Sequence, residues 1–184
     1  MKNISLSVLL LIGLSLVFSC VSEDENMEVI FQRDKQTIDT FVQNFDEEYV
    51  RREVVGETGV TLLFLETNGA GRRPEIRDTL YVDYIGFFLD GTVFDTSVEQ
   101  VARDNGIFNQ SRSYVPFPVE LGVSFVIDGW HIALSQMREG EKAIALIPSI
   151  YAYGSQGNHG IPPNTVLAFE LDVKSVRGPS HSQE

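Results

Sequence analysis

The sequence is poor in the residues on which most catalytic chemistry relies. Its 184 residues include one cysteine and three histidines. A single cysteine excludes an intrachain disulfide, so the fold depends on its own core. His131, His159 and His181 stand at no metal-binding spacing, and neither His-Glu-x-x-His nor Cys-x-x-Cys occurs. His131 reads as a surface or hydrogen-bonded residue, and His159 as a local contact in a glycine-rich loop. No Gly-x-Ser-x-Gly elbow presents a nucleophile. Gly154-Ser155-Gln156-Gly157 lacks the lysine, the preceding strand and the following helix of a phosphate-binding loop. Positive charge is also scarce, with 14 Lys and Arg against 26 Asp and Glu and a formal net charge of -12. That balance argues against nucleic acid or anionic lipid as the main partner, and the acidity reads as solubility. No internal repeat is visible.

What the chain does have is apolar residues, 43% of the total, enough for one core with extras. Its longest apolar run, Ile4 to Phe18, follows a short basic start and is short for a spanning helix of ~20 residues. Polarity changes abruptly at Ser22-Glu23-Asp24-Glu25. This is the design of a secretory signal peptide over residues 1–19. Leu16-Val17-Phe18-Ser19-Cys20 resembles a bacterial lipobox, in which the cysteine becomes the lipidated first residue. The expectation is a protein lipid-anchored through Cys20 in the cell envelope, at the outer membrane and facing either the periplasm or the surface. The acidic run after Cys20 reads either as an export tether or as a solvated spacer.

The remaining chain divides into a tether and N-terminal extension (20–58), a folded domain (59–178, core 78–177) and a flexible tail (179–184). Val21 to Arg33 reads as tether. Asp34 is placed to cap a helix to about Asn44, with Ile38, Phe41, Val42 and Phe45 at helical spacing. Strands are expected at 47–55 and 60–66, with Leu62 and Phe64 on one face and Leu63 and Leu65 on the other. Residues 79–89 give the clearest alternation, with Leu80, Val82, Tyr84, Gly86 and Phe88 on one face. Asp90-Gly91 forms a turn, and Thr92 to Thr96 returns. Residues 98–105 suit a helix, 116–121 an extended segment, 128–137 a short helix, and 142–148 and 166–176 two further strands. The connections are too short for parallel crossovers. The expected class is α+β, an antiparallel sheet curled around a short α-helix, with an N-terminal helical extension.

Within that frame an aromatic and apolar set recurs in distinctive local wording. In order come Val82-Asp83-Tyr84-Ile85-Gly86, Asp90-Gly91-Thr92-Val93-Phe94-Asp95-Thr96-Ser97, Pro116-Phe117, Leu121-Gly122 and Val126-Ile127-x-Gly129-Trp130. They are followed by Met137-x-x-Gly140-Glu141-Lys142, Tyr151-x-Tyr153-Gly154 and Gly160-Ile161-Pro162-Pro163-Asn164-x-x-Leu167-x-Phe169. This wording resembles the FKBP family of tacrolimus-binding peptidyl-prolyl cis–trans isomerases, over roughly Gly59 to Arg177.

The resemblance implies a groove between sheet and helix that takes a proline ring. Trp130 would be its floor, Tyr84, Phe94 and Phe169 its walls, and Phe117, Val126 and Ile127 its rim. The Ile127 backbone N–H and the Tyr153 hydroxyl would each donate to a substrate carbonyl. Ile161 would contact substrate, and the loop from Ser155 to Ile161 would overhang the site. Asp95 would be the polar residue inside, either an orienting acceptor or a structural partner of Tyr84, steadied by Arg103 or Arg112. Neither cofactor nor metal is implied. The implied partners are proline-containing polypeptides and tacrolimus-like inhibitors. The activity is rotation about X-Pro bonds in exported proteins; the alternative is a chaperone or assembly adaptor on the same fold. The layout also resembles isomerase lipoproteins associated with gliding motility. Two stretches exceed the compact family pattern: the insertion at 98–115, and the extension before Gly59.

Overall fold

The computed structural model describes residues 23–179. The expected signal peptide over residues 1–19, Cys20 and His181 lie outside the described residues. The elements are α1 (Glu23–Gln43), β1 (Arg51–Val54), β2 (Thr61–Glu66), β3 (Thr79–Phe87), β4 (Val93–Thr96), α2 (Glu99–Asp104), β5 (Phe117–Glu120), α3 (Asp128–Leu134), β6 (Lys142–Ile147) and β7 (Leu167–Arg177). The strands form one antiparallel sheet in the order β1-β2-β6-β7-β3-β4, with β5 also paired to β3. No helix of the described residues is long and apolar enough to cross a membrane.

β3 organises the sheet. One of its edges pairs with β7 from Thr79↔Arg177 to Phe87↔Ala168. The other edge is shared end to end: β5 takes Thr79 to Val82, and β4 takes Ile85 to Phe87. Between these two partners the chain leaves the sheet through α2 and the loop to Pro116. The alternation read from the sequence sets the faces, because successive side chains of a strand point to opposite sides. Leu80, Val82, Tyr84 and Gly86 are all buried toward α3.

Both faces of the sheet are covered. Leu62 and Phe64 of β2, Ala143, Ala145 and Ile147 of β6, and Leu167, Phe169 and Leu171 of β7 pack with Trp130, Ala133 and Leu134 of α3. Leu63 of β2, Ile144 and Leu146 of β6 and Ala168 of β7 point the other way, onto Ile38 and Val42 of α1. That double burial explains why β2 and β6 read as near-continuous apolar runs. The helix α3 comes close to the sheet at one point. A Cβ on Gly129 would lie 2.3 Å from Ile147 Cγ2, so only glycine permits this approach.

The extension differs from its reading in two respects. α1 begins at Glu23, so residues 23–33 are helix and not tether. Asp34 does not cap the helix; it sits mid-helix with 0% exposure, its carboxylate accepting from Ser149 N–H at 2.9 Å and Ser149 Oγ at 2.5 Å. An aspartate ahead of an apolar stripe carries the sequence signature of a cap. Here a partner far along the chain supplies the reason for it instead.

Candidate active site

The concave side of the sheet and α3 enclose a cavity of about 200 Å³, lined by Tyr84, Phe94, Asp95, Phe117, Phe125, Val126, Ile127, Trp130, Tyr153 and Phe169. The lining residues arrive from five separate elements and the loops between them. Tyr84 comes from β3, Phe94 and Asp95 from β4, Phe117 from β5, Trp130 from α3 and Phe169 from β7. Two larger clefts, of about 560 and 540 Å³, run along α1, and Arg33 and Leu89 line both.

Trp130 is the floor. It is 4% exposed, and three rings stand edge-on to it: Tyr84 at 5.1 Å, Phe169 at 5.4 Å and Phe117 at 6.2 Å between centroids. Phe94 meets Phe169 edge-on at 5.6 Å. Edge-to-face contacts place the positive rim of one ring on the negative face of the next, and so fix ring orientation as well as burying area. Gly86 makes room for this wall. A Cβ there would lie 2.7 Å from Phe94 Cε2 and 2.9 Å from Phe169 Cε1.

One polar cluster faces the apolar cage. The Tyr84 hydroxyl donates to Asp95 Oδ2 at 2.7 Å. Arg112 Nη2 donates to the Tyr84 oxygen at 2.6 Å, and Arg112 Nη1 pairs with Asp95 Oδ1. Asp95 Oδ1 also accepts the Thr96 N–H at 2.9 Å. The choice between Arg103 and Arg112 is thereby made, since Arg103 binds Glu99 and stacks over Phe108. Burial, and next the hydrogen bond to Asp95, push the Tyr84 phenol well above its ordinary value of 10.0, against the opposing pull of Arg112. For Arg112 burial acts downward, but its bonds to Asp95 and Tyr84 outweigh it and leave the guanidinium above its usual value.

The fold therefore favours the neutral phenol. Its contribution to stability is whole below pH 10.0 and declines as the pH rises toward the folded-state value. In an alkaline spectrophotometric titration, Tyr84→Phe and the wild type should release the same phenolate absorbance through pH 10.0. A smaller signal in the variant over that range would mean that Tyr84 ionises normally.

The backbone at the α3 entry is the second polar feature. Ile127 is extended at φ -59 and ψ 145, and its carbonyl accepts the Trp130 N–H at 2.9 Å. Among the described residues its own N–H has no acceptor. His131 holds the preceding loop: Nδ1 accepts from Gly122 N–H at 3.1 Å and Nε2 lies 3.0 Å from the Ser124 carbonyl. Those two contacts fix the tautomer with the proton on Nε2.

A profile of the FKBP-type peptidyl-prolyl cis-trans isomerase family matches residues 70–174, more than half of the chain. The chain belongs to this family. Among curated relatives, FK506-binding protein 1 of Kluyveromyces lactis is 33% identical over 121 residues, covering 65% of this chain and 95% of its own length. Human peptidyl-prolyl cis-trans isomerase FKBP4 is 34% identical over 125 residues, covering 67% of this chain but only 24% of the human protein. Among solved structures, FkpA from Escherichia coli aligns at a TM-score of 0.58 and 28% identity, covering 84% of this chain and 64% of that one. A peptidyl-prolyl cis-trans isomerase from Pseudomonas syringae aligns at 0.57 and 27%, covering 82% and 95%.

Nine of the residues expected to form the FKBP groove line one cavity: Tyr84, Phe94, Asp95, Phe117, Val126, Ile127, Trp130, Tyr153 and Phe169. Ile161 does not join them. It is 8% exposed and belongs to the core cluster, turned inward by the reciprocal backbone bonds between Asn158 and Ile161. Phe125 lines the cavity although the sequence reading passed over it, and its side chain is fully exposed. Its position directly before Val126-Ile127 was the available signal. Cys20 lies outside the described residues.

Proposed function

We propose that this FKBP-family chain catalyses cis–trans rotation about X-Pro bonds in exported polypeptides, held at the cell envelope by a lipid on Cys20. The observation that carries the catalytic part is the aromatic cage over Trp130, with a donor-bearing backbone at Ile127 beside it. The anchor rests on the apolar run, the lipobox-like ending and the abrupt change of polarity at Ser22.

The chemistry suits such a cage. The barrier to amide rotation, ~20 kcal/mol, is lost resonance. As the bond twists, charge separation across the amide falls, and the transition state is less polar than the planar ground state. An apolar floor with water excluded stabilises the twisted form relative to the planar one. No bond is made or broken, so rotation itself calls for no nucleophile. Trp130, Phe94 and Phe169 would confine the ring. The Ile127 N–H and the Tyr153 hydroxyl would hold flanking carbonyls and leave the amide free to turn. Asp95, fully engaged by Tyr84, Arg112 and Thr96, acts as part of the wall and not as a base. Phe117 and Phe125 form an apolar lip where the chain on either side of the proline would lie. Tacrolimus-like macrocycles would compete for the same cage.

A protease-coupled assay on X-Pro peptides with the chain from Val21 onward tests the catalytic part. Isomerisation in seconds or less is expected, against tens to hundreds of seconds uncatalysed. Folded protein giving the uncatalysed rate refutes it. Mass spectrometry of the membrane fraction tests the anchor, and an unmodified Cys20 in the mature protein refutes that part.

A further inference from the structure

Among the described residues Asp34 is the most buried carboxylate, and the isomerase groove makes no direct use of it. It lies on α1, across the sheet from the cavity. Two other buried acids hold nearby turns: Asp78 binds Arg72 and the Glu75 N–H, and Glu141 binds the Asn68 and Arg138 N–H groups. Asp34 instead reaches Ser149, at the root of the segment that carries Tyr153. Ser149 opens a short 3-10 turn through Tyr151, and Phe31 of α1 meets the Tyr151 ring edge-on at 6.5 Å.

The neighbouring residue ties down the other root. Arg33 Nη2 donates to the Asn164 carbonyl at 2.8 Å, and the Asn164 N–H donates to the Gly154 carbonyl at 2.8 Å. Arg33 also pairs with Asp34 Oδ1 at 2.6 Å, which makes one unit of the two struts. Two consecutive residues of α1 thus clamp both ends of the stretch from Ser149 to Asn164, which carries Tyr153 into the lining of the groove.

We propose that Asp34, together with Arg33, is a positioning residue for the isomerase, setting the place of Tyr153 through Ser149. On this inference α1 is a working part of the enzyme and not a spacer. The inference rests on the isomerase reading above. Removing the Asp34 carboxylate leaves the Ser149 N–H and hydroxyl buried without an acceptor, and the turn they begin is then free to shift. A shifted Tyr153 hydroxyl weakens the hold on substrate without altering the cage, so the effect falls on KM.

The test uses the chain from Val21 onward with X-Pro peptides. Asp34→Ala is expected to raise KM about five- to tenfold with kcat within about twofold. Asp34→Asn, which keeps an acceptor for Ser149, should restore most of the loss. In a Tyr153→Phe background the Asp34→Ala effect should largely vanish, because both changes remove the same contact. Arg33→Met, at a half-exposed side chain that the fold tolerates, should raise KM about two- to threefold and serves if Asp34→Ala does not fold. Unchanged KM in these variants, an effect of full size in the Tyr153→Phe background, or a loss of kcat at constant KM that tracks loss of folded protein, overturns the proposal. A wild-type protein inactive on every X-Pro peptide sinks the isomerase reading itself, and this inference with it.

Discussion

Trp130→Ala should lower kcat/KM by about ten- to a hundredfold and cost about 3–5 kcal/mol of stability. Trp130 is the one tryptophan of the chain, and it touches the rings of Tyr84, Phe117 and Phe169 at once. Its removal opens a void beneath the proline site. Water entering that void would solvate the planar amide better than the twisted one, the reverse of what catalysis requires. A domain of ordinary stability, about 5–15 kcal/mol, survives the loss in most cases. The kinetic and thermodynamic effects therefore separate. Urea unfolding gives the second, and peptide kinetics on protein shown to be folded give the first. A folded variant with kinetics within about twofold of wild type would remove Trp130 from the site.

The second large effect is expected one residue earlier. Gly129→Ala introduces a methyl group that meets Ile147 Cγ2 at 2.3 Å and Cδ1 at 2.9 Å. Gly129 needs no unusual backbone angle, so the whole penalty is steric. Either α3 lifts from β6 or Ile147 leaves its rotamer, at about 1–3 kcal/mol. The melting temperature should fall by several degrees, at roughly 2–4 °C per kcal/mol for a chain of this size. Because Trp130 is carried on the same turn, kcat/KM should fall with it. Ile147→Ala in the same molecule should give back part of the loss, so that the pair costs less than the two single changes together. Strict additivity would mean that the contact does not limit the approach of the helix.

Much of this was legible before any coordinates. The alternation from Leu80 to Gly86 gave the strand and the residues that share a face, whereas the apolar residues on both faces of Leu62 to Leu65 find their reason only in a sheet covered on both sides. The groove was legible because its residues recur in fixed local wording, each block belonging to one element. What the sequence left illegible concerns partners distant in sequence. Asp34 looked like a cap because its partner, Ser149, lies on a turn that only the closed sheet brings near. The choice between Arg103 and Arg112 turned on the path of the chain after α2, which no periodicity encodes. Phe125, which the reading passed over, and Ile161, which it placed against substrate, share a related reason. Apolar side chains on loops point inward or outward according to local backbone bonds, and composition does not record those bonds.

The divided edge of β3 has a consequence for how this enzyme can vary. Since β4 and β5 dock separately on one strand, the stretch between them can lengthen without disturbing a single ladder bond. Each doubling of such an excursion costs only about 0.6 kcal/mol of closure entropy. Yet this excursion delivers Arg112 to Asp95 and Tyr84, inside the mouth of the groove. The scaffold thus offers a socket in which new sequence can be tried cheaply, at the mouth of the groove, while the aromatic cage stays untouched.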